Sequence, residues 1–253
     1  MRYLSIVFIS LVYSLSSGCK VNNDHKVADH ISAQEDTIIV SDTISKEQVQ
    51  EVSETILRFK EYGLVNVLDL SPDILVELKY ATTDNFTGEI AYTDFTEAWL
   101  MEDVAERLAR VQDYLSDIRP GYKLLIYDAA RPLSVQQKLF DSVKGTPKAR
   151  YVANPKNTGL HNYGAAVDLT IVDSLNIPLD MGTPFDHLGR EAHTDTEQQL
   201  MAEGVLNRQQ IKNRQLLREV MHKEGFRVLK REWWHFNACT LTQAKQKYKL
   251  LDF

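Results

Sequence analysis

The chain has 253 residues, 43 % of them hydrophobic and 25 % charged, and carries a formal net charge of -6 at pH 7. That length gives one globular domain with a real core and room for appendages. The acidic balance and the lack of any Lys/Arg-rich run exclude the electrostatic footprint of a nucleic-acid binder.

Arg2 is followed by an apolar run from Tyr3 to Leu15 and then by Ser16-Ser17-Gly18-Cys19, the order of a secretory signal. The run is shorter than the about 20 residues of a membrane span. Small residues directly before a cysteine resemble the lipobox of bacterial lipoproteins, although the usual Leu three positions before the cysteine is Ser16 here, with Leu15 one place further out. That resemblance implies an exported protein, periplasmic or at the cell surface, with Cys19 lipidated; plain secretion and a retained anchor helix are the other readings. One acyl chain anchors only marginally, so attachment would rest on the several chains that the resemblance implies. The anchor would then be the protein's one contact with a bacterial membrane.

The chain's two cysteines are Cys19 and Cys239, so an internal disulfide is not expected. Cys239 follows His235 by four residues and reads as a small buried apolar residue rather than a soft metal ligand. Residues 1–18 are therefore expected to be a signal peptide and residues 19–45 a polar tether. In the tether, His25 and His30 stand among Asn, Asp, Gln and Glu without apolar periodicity, and read as solvated side chains. Residues 46–253 form the folded domain.

Val49, Val52, Ile56, Leu57 and Phe59 fall near helical spacing up to Gly63, a helix stop. The runs Leu64 to Leu70 and Ile74 to Leu78 predict strands, divided by the turn Ser71-Pro72-Asp73. After a loop at residues 82–88, the longest amphipathic stretch runs from about Thr96 to Ile118, with Leu100, Val104, Leu108, Val111 and Leu115 facing the core. Arg119-Pro120-Gly121 turns the chain into Tyr122 to Tyr127, whose Leu124-Leu125-Ile126 marks a buried central strand. That strand ends in Asp128-Ala129-Ala130-Arg131-Pro132. Ser134 and Gln137 have capping-box spacing for the next helix, which places Arg131 in a strand-to-helix connection, where function commonly sits. Taken alone, such an Arg is a surface salt bridge.

A loop at residues 154–159 leads past His161 and Gly164 into a strand from Ala165 to Val172 that carries Asp168; Asn207 to Lys223 predicts a helix with His222 exposed. Near the end stands Glu232-Trp233-Trp234-His235. Two imidazoles and one carboxylate make a three-ligand zinc site with a fourth position for water, and a nearby uncoordinated carboxylate can take that water's proton. Singly, each of these residues has a plain structural alternative; jointly, H-x6-D with E-x-x-H is far more specific. His187 and His193 are rivals that lie in a polar loop without strand framing. Parity imposes conditions. Residues seven apart point oppositely on a straight strand, so His161 meets Asp168 only if Asn162-Tyr163-Gly164 turns, which Gly164 allows. Glu232 and His235 likewise share one side of a strand only across a bulge or bend at the tryptophans.

These blocks, with Tyr80-Ala81-Thr82-Thr83-Asp84-Asn85-Phe86-Thr87-Gly88 and Leu179-Asp180-Met181-Gly182-Thr183-Pro184-Phe185-Asp186, resemble the zinc D-alanyl-D-alanine dipeptidases of the VanX type, within the Hedgehog/DD-peptidase-like superfamily. The likeness covers roughly Val65 to Asn237. It implies an α+β fold, a small mixed or antiparallel sheet with flanking helices. It further implies one zinc per chain held by His161, Asp168 and His235, with Glu232 as catalytic acid/base and Arg131 stabilising the transition state. Asp186 would meet the substrate's amino end. The implied reaction is hydrolysis of the D-Ala-D-Ala dipeptide, a peptidoglycan precursor or turnover product, by a metal-activated water. The alternatives are a murein carboxypeptidase or L,D-type peptidase of the same superfamily, which would need an open groove, and a non-catalytic zinc-bearing cell-wall-binding lipoprotein. One departure bears on substrate preference: the motif usually carries Ser two residues before the histidine, and here that residue is Gly159.

Overall fold

The computed structural model describes residues 53–253, so the signal, Cys19, the tether and the first residues of the expected domain lie outside the described residues. Helix α1 (Glu54–Glu61) starts where the Ser53 hydroxyl accepts from the Ile56 amide, a side-chain cap. The predicted strand from Leu64 to Leu70 is a strand for only half its length. β1 (Leu64–Asn66) gives way to one helical turn, α2 (Val67–Leu70), because the Asn66 side chain caps the Leu68 amide. The second predicted strand shrinks to β2 (Leu75–Val76) after the expected turn.

The long amphipathic stretch also divides. Trp99, Leu100 and Met101 are all buried and pair with β1 as β3 (Trp99–Met101), and helix α3 (Glu102–Ile118) begins only after them, with Glu102 and Asp103 in its first turn. Three consecutive buried residues cannot lie on one stripe of a helix, whereas a covered strand accepts them. From Val104 onward the stripe of Val104, Leu108, Val111 and Leu115 is fully buried.

The five-stranded sheet has the order β2, β4 (Lys123–Asp128), β5 (Ala166–Val172), β7 (Glu232–Asn237), β6 (Arg227–Leu229). β2 and β4 are parallel and the remaining neighbours antiparallel, which is the small mixed sheet expected. All seven residues of β5 are buried, the mark of a central strand covered on both faces. Helix α4 (Leu133–Val143) follows β4. Its expected capping box is absent: Ser134 lies inside the helix, and the Leu133 and Ser134 amides donate instead to the carbonyls of Leu251 and Phe253. The C-terminal tail thus satisfies the orphan amides that a cap would otherwise take. Helices α5 (Glu197–Ala202), α6 (Arg208–Lys223) and α7 (Leu241–Lys247) complete the fold, and α6 packs on α3. Asn207 and Gln210 form a capping box at the start of α6, and His222 is exposed as expected.

Candidate metal centre and active site

Asp168 of β5 stands directly opposite His235 of β7 in the antiparallel register, so the two side chains leave the same face of the sheet. His161 reaches them from a 3-10 turn over Leu160–Tyr163, which Gly164 closes with φ +60. This is the turn that parity required. Glycine is needed at 164 for a second reason: a Cβ there would come within 3.2 Å of the Met101 amide and of the Leu64 side chain. The bend expected at the tryptophans is also present. Val228 pairs with Phe236 but Leu229 pairs with Glu232, so β7 bulges between them, and Glu232 and His235 line the same cavity.

His161 Nε2 lies 3.1 Å from His235 Nδ1 and 3.3 Å from Asp168 Oδ1, and His235 Nδ1 lies 2.8 Å from the same oxygen. A tetrahedral centre with bonds of about 2.0–2.2 Å has edges of roughly 3.3–3.6 Å, so this triangle, with edges of 2.8, 3.1 and 3.3 Å, is slightly tighter than one face of such a site. The outer partners fix both tautomers. His161 Nδ1 lies 2.6 Å from the Ala129 carbonyl oxygen, which can only accept, so that nitrogen carries the proton and Nε2 presents a lone pair. His235 Nε2 faces Asn237 Oδ1 at 2.9 Å, which leaves its Nδ1 unprotonated toward the centre. Two lone pairs and a carboxylate oxygen aimed at one point repel unless a cation sits between them, so the donor set fits a divalent metal. Zinc takes N and O donors in this number. Burial pushes Asp168 up, but His161 and His235 outweigh it and hold the carboxyl well below the usual range. Burial lowers His161 while Asp168 raises it, with a net rise; both shifts show how strongly the buried carboxylate draws positive charge.

Arg131 leaves the end of β4 and is buried. Its Nε and Nη2 both donate to Asp128 Oδ2, Nη1 donates to Gln136 Oε1 at 2.9 Å, and the guanidinium lies 5.1 Å over the Tyr80 ring. Asp128 is fully buried and also accepts from the Tyr92 hydroxyl at 2.6 Å. The Arg131 and His161 turns are sewn together, since the Arg131 amide donates to the His161 carbonyl and Asn162 Nδ2 donates to the Arg131 carbonyl.

Glu232 is buried, and among the described residues its side chain has neither a hydrogen bond nor an ion pair. Burial pushes its carboxyl up to about 8, against the pull of His235. Asp186 accepts from the Tyr80 hydroxyl at 3.1 Å and the Phe86 amide at 3.4 Å; burial, then the nearby Asp168, push it to about 8. A cavity of about 520 Å³ is lined by Tyr80, Phe86, Arg131, Asp186, Glu232 and the metal triad.

Every predicted site residue in the described part therefore reaches this one cavity, and Gly159 lines it too. Cys19 lies outside the described residues. His187 instead pairs with Glu191 at 2.8 Å and His193 meets the Tyr151 hydroxyl at 3.1 Å. Cys239 is half-buried against the Tyr163 cluster and outside the ligand group. Asp128, Tyr92, Gln136 and Asn237 were not singled out from the sequence as site residues. Asp128 had a signal, as the first residue of the motif ending in Pro132; Asn237 had its two-residue offset from His235.

The model of a family described as D-ala-D-ala dipeptidase matches residues 60–251. A D-alanyl-D-alanine dipeptidase of Escherichia coli (strain K12) is 34 % identical over 189 residues, spanning 75 % of this chain and 90 % of that protein. One from Enterococcus faecalis (strain ATCC 700802 / V583) is 26 % identical over 196 residues, spanning 70 % and 91 %. Among solved structures, a vancomycin resistance D,D-pentapeptidase in complex with Zn(II) is similar at 16 % identity and a TM-score of 0.29, over 59 % of this chain and 78 % of that one. A family match that runs from α1 to the C-terminal tail takes in every strand and the whole cavity, and this chain belongs to the D-ala-D-ala dipeptidase family.

Proposed function

We propose that this chain hydrolyses the D-alanyl-D-alanine dipeptide with zinc as cofactor. The observation that carries this is the convergence of His161, Asp168 and His235 with Glu232 and Arg131 on one cavity, in a chain of this family. Zinc held by His161 Nε2, His235 Nδ1 and Asp168 Oδ1 would supply a Lewis acid for the scissile carbonyl and acidify a water toward a pKa of about 7. Glu232 is the proton carrier. It lines the cavity beside the ligand triad with no hydrogen-bond partner of its own among the described residues, so its carboxylate is free to accept a proton from the attacking water and to return it to the leaving amine. Arg131 faces the oxygen that turns anionic, and because Asp128 and Gln136 already fix the guanidinium, its charge is preorganised for that moment. Asp186 receives the substrate's ammonium. Its bare carboxylate is costly where it sits, and an arriving cation offsets that cost, whereas an acylated nitrogen does not. That difference selects a dipeptide with a free amino end.

Purified protein should cleave D-Ala-D-Ala, lose the activity to a chelator and regain it with zinc. Cleavage of a pentapeptide stem in preference to the dipeptide would make it a carboxypeptidase instead. Arg131→Lys should keep the charge beside Asp128 and hence a near-native Tm, yet lower kcat by about 10²–10³, because an ammonium lacks the guanidinium fork. Arg131→Ala should add a loss of about 3–5 kcal/mol in stability by stranding the buried Asp128 carboxylate; thermal melts and kinetics on both variants separate the two effects.

The sequence supports residues 1–18 as a signal peptide, Cys19 as a lipidated cysteine at the membrane of the exported protein, and residues 19–45 as the tether of a domain at 46–253. In a bacterial host, labelled palmitate should enter the wild-type chain and not Cys19→Ala; equal labelling would remove Cys19 as the anchor.

A further inference from the structure

The segment that carries Asp186 has little structure of its own. Between Leu179, whose amide still bonds to Ile171 of β5, and the short 3-10 turn at Arg190–Ala192, the described residues form no helix and no strand. Asp186 itself sits at φ +59, the left-handed region that Asp tolerates better than most side chains but still adopts uncommonly. Contacts from outside the loop hold it there. Arg214 of α6 is 1 % exposed, and its guanidinium reaches both ends of the loop at once: Nε donates to the Met181 carbonyl at 2.7 Å and Nη2 to the Glu191 carbonyl at 2.9 Å. Glu197, also buried, balances the charge at 3.7 Å while it takes two bonds from Arg218. On the same helix, Asn213 Nδ2 donates to the Asp180 carbonyl at 2.8 Å. From the other side, Trp233 Nε1 donates to Thr183 at 2.8 Å, and Phe185 packs its ring against Trp234.

We infer that Arg214 is a positioning residue for substrate binding: it staples the ends of the 181–191 loop together and so holds Asp186 at the site of the substrate's ammonium. This rests on the reading of Asp186 given above. A planar guanidinium holds two carbonyls from two separate nitrogens in a fixed geometry, whereas an ammonium offers one nitrogen on a flexible stem and does not reach both from the same place. A loop freed at one end regains backbone freedom that binding must then remove, so the effect falls on binding rather than on chemistry.

The test compares D-Ala-D-Ala with its N-acetylated form on the zinc-loaded protein. Arg214→Lys should raise KM for the free dipeptide about 10-fold, change kcat less than 3-fold, leave zinc stoichiometry at one, and leave the rate on the acetylated substrate unchanged. Amide hydrogen exchange should quicken at residues 182–190 and nowhere else in the domain. In the double variant with Asp186→Asn, KM should rise no further than in Asp186→Asn alone, because the two act through one contact. If Asp186→Asn leaves KM unchanged, the ammonium reading fails. If Asp186→Asn raises KM but Arg214→Lys does not, or the two effects multiply, the clamp alone fails. Should Arg214→Lys not fold, Asn213→Ala removes the Asp180 bond made from the same helix, together with the bond that Gln209 gives Asn213 within α6; it should raise KM about 3-fold at constant kcat, and an unchanged KM overturns the clamp.

Discussion

Replacing Glu232 by alanine is expected to lower kcat by about 10²–10⁴, the range that a positioned general acid–base contributes, while the protein keeps its zinc. The two halves of that outcome come from separate features of the site. Glu232 lies outside the triangle of donor atoms formed by His161, Asp168 and His235, so its loss leaves the ligand set whole. Its side chain has no hydrogen bond or ion pair among the described residues, so truncation strands no buried partner and stability should hold or rise slightly. A carboxyl buried to that degree without a partner has little value for folding, which agrees with the catalytic role proposed for it. Glu232→Gln is the sharper control, because it keeps the volume and removes only the proton carrier; it should match Glu232→Ala in kcat. Turnover near the wild-type rate in both, with metal content measured alongside, would take Glu232 out of the mechanism.

Much of this site was legible in the sequence, because ligand geometry constrains spacing. His161 and Asp168 could meet only across a turn, and Glu232 and His235 only across a bulge; the turn at Gly164 and the slipped β6–β7 register supply both. The fold class followed from the family resemblance that these motifs carry. Local misreadings arose where a tertiary partner overrode a local pattern. Trp99 to Met101 fit the helical period of α3 but pair with β1, and Ser134 had a capping position that the tail carbonyls of Leu251 and Phe253 occupy instead. The Asn66 cap cut short a strand that β-branched composition alone extended to Leu70. The cradle around Arg131 was illegible for a related reason: Tyr92 and Gln136 reach it from other segments, and no periodicity records a contact made across the fold. Arg214 falls in the same class, since its helix shows the residue but not the two carbonyls it holds.

Removing a ligand should have the other large effect, and the outer partners make it divisible. His161→Ala or His235→Ala is expected to lose metal and activity together, because two donors remain where structural and catalytic zinc sites use at least three from the protein. The two histidines present different nitrogens to the centre. His161 uses Nε2 because Ala129 takes its Nδ1 proton, and His235 uses Nδ1 because Asn237 takes the proton on Nε2. The first partner is a backbone carbonyl beyond the reach of substitution, while the second is a side chain. Asn237→Ala should therefore weaken zinc binding by about 10–100-fold, the usual cost of losing an outer partner, by freeing His235 to adopt the wrong tautomer. At saturating zinc its kcat should return to within a few-fold of wild type, since all three ligands and Glu232 are intact. Competition titration against a chelator of known affinity, run beside kinetics at high zinc, separates these outcomes: an unchanged zinc affinity in Asn237→Ala would mean that Asn237 does not set the His235 tautomer, and stoichiometric zinc in His235→Ala would move the metal away from this triangle.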